Sequence, residues 1–270
     1  MSFTSFFTKN IFSKIYTGTI VQRLLSSIIF SLYVYFKMLY KVAKAYIFKV
    51  PIDPIEYFTS ETKGLSYIVN SKCACSSIKK AMLKGEGVQF GVGSFYSEIH
   101  NMAHELGFDK KPTNKHITFT IVRNPYERLV SLYKNKFEDS SKISRTKFEY
   151  RNYLGGILKQ DMTFLEFIKL ISDIPDLLSD RHFKSQYYLV NEAEHFDYFF
   201  KLEELNDVFC LFAREHGIDL PKKENSSGKY HYESYLCQES FNLISKRYKL
   251  DIDYFGYTSI HNKLKCHFDE

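Results

Sequence analysis

Tryptophan is absent from this 270-residue chain, proline occurs only six times and glycine twelve. So little of the last two excludes collagenous and low-complexity disordered architectures, and 25 Phe and 21 Tyr are left to supply the bulky core. Cysteine is scarce and odd in number: five, at Cys73, Cys75, Cys210, Cys237 and Cys266. That count and spacing exclude a disulfide framework and point to thiols in a reducing compartment. Cys73-Ala74-Cys75 has no second Cys/His pair nearby at ligand spacing, so no metal site is expected. A lone sequon at Asn225-Ser226-Ser227 would matter only in a secreted chain. The phosphate loop G-x-x-x-x-G-K-[ST] occurs nowhere. Acidic side chains are missing from residues 1–50, which carry seven basic ones, while the whole chain is only +6. The rest is therefore close to neutral. A nucleic-acid-binding domain spreads basic side chains over its folded face, so no nucleic-acid partner is expected.

The basic start of the chain lacks a long uncharged run as well. Between Ile20 and Ile47 no proline or glycine interrupts an apolar helical pattern, yet only Leu24 to Phe36 pass before Lys37 intervenes. A membrane span needs about 20 apolar residues. On a helical wheel Arg23, Ser26, Ser27, Ser31, Lys37, Lys41 and Lys44 share one side, and Leu24, Leu25, Ile28, Ile29, Leu32, Phe36, Leu39 and Ile47 cover much of the rest. This is the pattern of a helix lying in a membrane interface. A helix packed on its own domain, a span, or a signal cleaved near Ala43-Lys44-Ala45 are the alternatives. Pro51-Ile52-Asp53-Pro54 ends the helix, and the expected organisation is an amphipathic segment over 1–60 followed by a catalytic domain over 61–270.

Strands and helices then alternate. Leu65–Asn70 reads as a buried strand, followed by a small-residue loop and a helix from Ser76 or Ser77 through Leu83, with serine as its cap. Ile117–Val122 is a second strand, leading into a helix from Pro125 to about Phe137. Phe196–Leu202 is a third, followed by a helix over 203–216. The alternation predicts an α/β fold, a three-layer parallel sheet with helices on both faces. Gly85-x-Gly87…Gly91-x-Gly93 follows a helix rather than a strand, which makes it a connection and not a dinucleotide loop.

Two strand-to-helix junctions carry the chemistry. Ser71-Lys72-Cys73-Ala74-Cys75-Ser76-Ser77 places a small-residue loop at a helix N-terminus, where free amides receive anions; Lys72 adds a mobile charge and the serines add hydroxyls. A thiol phosphatase would need an arginine where this chain has Lys79. In Arg123-Asn124-Pro125-Tyr126-Glu127-Arg128-Leu129-Val130-Ser131, Arg123 leaves the carboxyl end of a strand, where open α/β sheets bind ligands. Ser131 lies two helical turns along, so a guanidinium fork and a hydroxyl can grip one phosphate. Read separately, each junction is equally compatible with an ordinary helix cap or a surface arginine.

Together they resemble the nucleotide-binding elements of the sulfotransferase superfamily, most closely the carbohydrate sulfotransferases that use 3′-phosphoadenosine 5′-phosphosulfate (PAPS). In that family a Lys-x-Ala-Cys-[Ser/Thr]-like loop holds the 5′-phosphosulfate, and Arg-x-Pro-[Phe/Tyr]-x-Arg-Leu-Val-Ser holds the 3′-phosphate. Arg181-His182-Phe183-Lys184-Ser185-Gln186 resembles an acceptor-side His-x-x-x-Gln segment, and Tyr248…Tyr254-Phe255-Gly256-Tyr257 the terminal aromatic motif. The resemblance covers about residues 64–257. Ser71 departs from the usual proline before the loop lysine, and Ile78 from the bulky residue common after the loop.

The resemblance implies PAPS as co-substrate, PAP as product, no metal, and transfer to a glycan or glycolipid hydroxyl. Residues 72–77 (Lys72, Cys73, Ala74, Cys75, Ser76, Ser77), Arg123 and Ser131 would bind the nucleotide, Lys72 would stabilise the leaving phosphate, and His182 and Gln186 would face the acceptor. The general base is expected between the two junctions: His100 first, then Glu98 or His104. Two rival readings stand beside this one, a nucleotide-kinase-like enzyme and a membrane-peripheral anion-binding module without turnover. A cytoplasmic enzyme held at a membrane surface by residues 20–47 is expected, with a Golgi type II protein as the alternative. Oligomeric state is not legible.

Overall fold

The computed structural model describes residues 14, 17–90, 96–138, 153–159, 161–193, 195–218 and 231–269. Its contacts group the chain into two compact units, one of residues 1–52 with 133–178 and one of residues 53–132 with 179–270.

In the first unit the apolar pattern becomes the helix Ile20–Phe48, opened by a capping box between Thr19 and Gln22. Lys49 ends it in the left-handed region with φ 54°, and Pro51 follows. A second helix, Phe164–Ser172, starts at a matching box between Thr163 and Glu166 and buries Phe164, Phe167, Ile168 and Ile171. Tyr133 and Phe137 close over Phe167, the latter pair with ring centroids 4.9 Å apart.

The second unit is built on a four-stranded sheet in the order β1 (Tyr57–Ser60), β2 (Leu65–Ile68), β3 (Ile117–Val122), β4 (Tyr198–Lys201). Strands β2, β3 and β4 run parallel, in register Leu65↔Ile117 and Phe119↔Tyr198. The sheet is not wholly parallel as expected: β1 pairs antiparallel with β2. The Tyr-Phe-Thr-Ser of β1 is too short and too polar to stand out by alternation. It is made a strand by the hairpin turn at Gly64, whose φ of +61° favours glycine.

Without tryptophan, phenylalanine fills the centre. The Phe119 ring lies 5.1 Å from Phe212, 5.4 Å from Tyr67 and 5.9 Å from Phe209, centroid to centroid, the spacing of tilted aromatic packing. Phe58 and Phe108 stack at 4.9 Å.

Helices sit at the strand ends much as the pattern predicts, with shifted starts. The helix after β2 is Cys75–Gly85, capped by Ala74 with no side-chain hydrogen bond, not by a serine. After β3 the α-helix is Pro125–Tyr133, giving way to a wider π turn at Lys134–Glu138. After β4 the expected single helix is a 3₁₀ turn, a π turn and only then the α-helix Cys210–Glu215. Gly85 ends its helix where an added Cβ would meet the Gly217 carbonyl at 2.7 Å, so it serves close backbone approach. Gly91 and Gly93 lie outside the described residues.

Candidate active site

Every residue of the candidate site belongs to the second unit. The β2 loop turns through two left-handed residues that are not glycine, Lys72 at φ 67° and Ala74 at φ 57°. Such residues cost about 1–3 kcal/mol each and persist where their surroundings hold them. Cys73 is what holds this loop. It is fully buried, with Sγ 3.6 Å from the Ser71 carbonyl and 3.4 Å from Gln186 Oε1. Burial pushes its thiol up to about 12, against the pull of Arg128 and Arg123. The Cys73 side chain therefore faces the core and offers a ligand only its backbone. The effect is to leave the amides of Cys75, Ser76 and Ser77 at an 11-residue helix start whose cap has no side-chain acceptor, an arrangement suited to an anion. Ser76 and Ser77 are half-buried beside them, as is Lys72.

Arg123 brings the second junction to the first. Its Nη1 donates to the Lys72 carbonyl at 3.2 Å and its Nη2 to Glu127 Oε1 at 2.6 Å. The guanidinium is thus aimed across the Lys72 loop and is only 11% exposed. Ser131 lies half-buried on the same helix as Glu127.

Gln186, expected on the acceptor side, has its side chain in a buried network. It is 1% exposed. Its Oε1 accepts from the Arg123 amide at 2.9 Å and from Asn70 Nδ2 at 3.0 Å, and its Nε2 donates to the Arg123 carbonyl at 2.7 Å. That geometry ties the two strand ends together through one side chain. His182 is half-buried, its Nδ1 2.6 Å from Asp180 Oδ1.

Several residues that matter to this arrangement escaped the reading of the sequence. Arg128, 1% exposed, donates to the carbonyls of Ser71 at 3.0 Å, Lys184 at 2.8 Å and Arg181 at 3.0 Å. Asp251 accepts from Ser185 Oγ and the Tyr187 amide at 2.8 Å and from the Gln186 amide at 3.0 Å, holding the start of the helix Gln186–Asn191. Burial raises its carboxyl above the usual range against those hydrogen bonds. Glu203 accepts from the Asn124 amide at 2.8 Å and the Tyr257 hydroxyl at 3.0 Å, while Tyr248 donates to the Phe183 carbonyl at 2.6 Å. The terminal aromatic motif thus braces the chain at Asn124, through Glu203, and at Phe183. The available signal was the second arginine of Arg123-Asn124-Pro125-Tyr126-Glu127-Arg128 and the aspartate inside Tyr248–Tyr257. Lys79, on the buried side of its helix, pairs with Glu56, which also holds Arg181. Burial opposes the Glu56 charge, but these two cations outweigh it and lower its carboxyl.

Of the base candidates, His100 and His104 share the helix Tyr96–Glu105, and Ile99 and Ala103 bury its inner face. The side chains of Glu98 and His100 lie outside the described residues. His104 is 82% exposed and pairs with Asp109 at 2.5 Å. His116 sits at the amino end of β3, bonded to Thr113 and 3.1 Å from Glu61.

Residues 56–258 match the sequence model of the Sulfotransferase family. The chain belongs to that family. The stretch shared with other sulfotransferases opens at Glu56, behind the loop helix, and closes one residue beyond Tyr257, so it contains every site residue above. This sulfotransferase is also similar to Carbohydrate sulfotransferase 14 from Homo sapiens, 26% identical over 219 residues, covering 71% of this chain and 57% of the relative. The match thus spans little more than half of that relative's length. No solved structure matches the chain.

Proposed function

We propose that the protein moves a sulfuryl group from PAPS to a hydroxyl of a carbohydrate, as part of a glycan or glycolipid. The observation that carries this reading is the 3.2 Å contact of the Arg123 guanidinium with the Lys72 carbonyl, which sets a helix-start anion cradle and a fork-shaped phosphate ligand side by side. The cradle residues 72–77 fit the phosphosulfate end through their amides and the hydroxyls of Ser76 and Ser77. Arg123 and Ser131 fit a second phosphate, for which Arg123 must exchange its Glu127 partner.

PAPS supplies an already activated sulfuryl group, so the protein's part is positioning and charge. As the acceptor oxygen bonds to sulfur and the sulfur–phosphate oxygen bond breaks, Lys72 neutralises the charge gathering on the departing phosphate. The acceptor proton goes to a base on the helix Tyr96–Glu105, His100 in this reading. His182 borders the acceptor side; Gln186 positions Arg123. The catalytic region is residues 61–270, with helices on both faces of the sheet making three layers, and residues 20–47 bring it to a membrane surface. The odd count and spacing of the five cysteines support the cytoplasmic face; a Golgi type II placement is the alternative.

Calorimetric titration with PAP and with ADP tests this. PAP should bind far more tightly, since ADP lacks the 3′-phosphate. Equal affinities would sink the reading, and PAP binding with no turnover on any glycan acceptor would leave a nucleotide-binding module.

A further inference from the structure

The helix Ile20–Phe48 is packed the wrong way round for a soluble protein. At about 100° per residue, its buried side chains Ser26, Phe30, Val34 and Ala45 fall within roughly 100° of arc. Arg23, Lys37, Lys41 and Lys44 lie on that same arc. Opposite them, across about 140°, Leu24, Ile28, Ile29, Leu32, Phe36 and Leu39 stand 45–63% exposed. A helix of a water-soluble domain turns such a face inward; left outward, it requires an apolar medium.

Charge decides between a lipid surface and a second copy of the chain. Residues 1–50 carry seven basic and no acidic side chains. Self-association would crowd like charges, whereas an anionic membrane attracts each of them.

The packed side then decides how the helix meets the bilayer. From Ser26 to Ala45 the covered stripe runs about 28 Å, close to the roughly 30 Å of a hydrocarbon core. The chain that packs along it, from the same unit, includes the 3₁₀ turns Tyr153–Gly155 and Asp176–Leu178. A helix crossing the bilayer would drag those turns into hydrocarbon, where lipid-exposed irregular backbone is not tolerated. We infer that this helix lies in the plane of an anionic bilayer, with the arc centred on Leu32 and Leu39 submerged and its basic stripe and covering turns at headgroup level. This rests on the reading of residues 20–47 as a membrane contact and adds the orientation.

The absence of tryptophan makes a fluorescence test clean. Leu25→Trp, Leu32→Trp and Leu39→Trp, each in the full chain, are bound to vesicles of equal parts phosphatidylcholine and phosphatidylglycerol carrying bromine at a shallow or a deep acyl position. All three should be quenched most by the same bromine depth, while Phe30→Trp, covered by the chain, should be quenched far less. A crossing helix would change depth by about 21 Å between the first and last positions; such a gradient overturns the in-plane arrangement and keeps the membrane contact. No quenching at any position overturns both. Replacing Lys37, Lys41 and Lys44 by Gln should weaken vesicle partitioning about 100-fold, and unchanged partitioning would remove the argument from charge.

Discussion

The side chain of Gln186 pairs with the main chain of Arg123 at both ends, its Oε1 receiving the Arg123 N–H at 2.9 Å and its Nε2 reaching the Arg123 carbonyl at 2.7 Å. β3 ends at Val122, so the amide acts as one more residue of a neighbouring strand, fixing Arg123 where the sheet no longer can. The same Oε1 lies 3.4 Å from Cys73 Sγ, which couples the Lys72 loop and the Arg123 strand end to one side chain. Gln186→Glu keeps the shape but removes the donor to the Arg123 carbonyl. It should lower stability by about 1–3 kcal/mol and weaken PAP, while leaving the acceptor KM close to that of the parent. An acceptor KM that rises with PAP affinity intact would restore Gln186 to the acceptor side.

Arg123 and Glu127 predict opposite effects on nucleotide binding. Truncating one partner of a buried charged contact costs roughly 2–5 kcal/mol, so Arg123→Ala should weaken PAP by about 30-fold or more. Glu127→Gln removes the competitor for the guanidinium and should tighten PAP without tightening ADP. Calorimetry on the two variants checks both, and weaker PAP binding by Glu127→Gln would show that Glu127 orients Arg123 productively.

Lys72 should act on rate rather than affinity. Loss of a preorganised charge at the leaving group typically lowers turnover about 10²–10³-fold. Lys72→Ala should therefore lose kcat with PAP affinity nearly unchanged, read by single-turnover kinetics on a glycan acceptor. Normal turnover would assign leaving-group stabilisation to another residue.

Arg128 is a brace, although it shares a motif with Arg123. Arg128→Met keeps the bulk but takes the guanidinium donors away from the carbonyls of Ser71, Arg181 and Lys184, buried or partly buried beneath it. At about 1–3 kcal/mol for each unsatisfied group, urea denaturation should show a loss of roughly 3 kcal/mol or more. A loss confined to PAP affinity, with the denaturation midpoint unmoved, would place Arg128 on the ligand.

The cysteines separate by pH. Burial holds the Cys73 thiol up at about 12. For Cys237 the small cost of burial is outweighed by the amide and hydroxyl of Ser240, and the thiol sits below its ordinary range. Near neutral pH a thiol reagent should label exposed Cys237 early and Cys73 only on unfolding. Because the folded Cys73 value is raised, its contribution to stability is complete below the ordinary thiol range and falls as pH climbs toward about 12, where the unfolded chain ionises first. Rapid labelling of Cys73 in the native protein, located by peptide mass mapping, would contradict a core-facing thiol.

What the sequence determined by itself was local and periodic. The long N-terminal helix, strands β2, β3 and β4, and the two strand-to-helix junctions could be read because each is written in consecutive residues: an unbroken apolar wheel, short runs rich in aromatic or β-branched residues, a small-residue loop, an Arg-x-Pro turn. What the tertiary structure decided depends on residues far apart in the chain. The edge strand β1 exists because a hairpin at Gly64 lays a polar segment beside β2. The helix after the Lys72 loop starts at Cys75 because a buried Cys73 forces left-handed turns on either side of it. Gln186, Asp251, Glu203 and Arg128 gained their parts from hydrogen bonds spanning 50 residues or more, and no local pattern records such partners. The direction of the N-terminal helix belongs to the same class: its wheel shows two faces, and only the packing of its own unit shows that Ser26, Phe30, Val34 and Ala45, on the side that carries the basic residues, are covered while the apolar face is not.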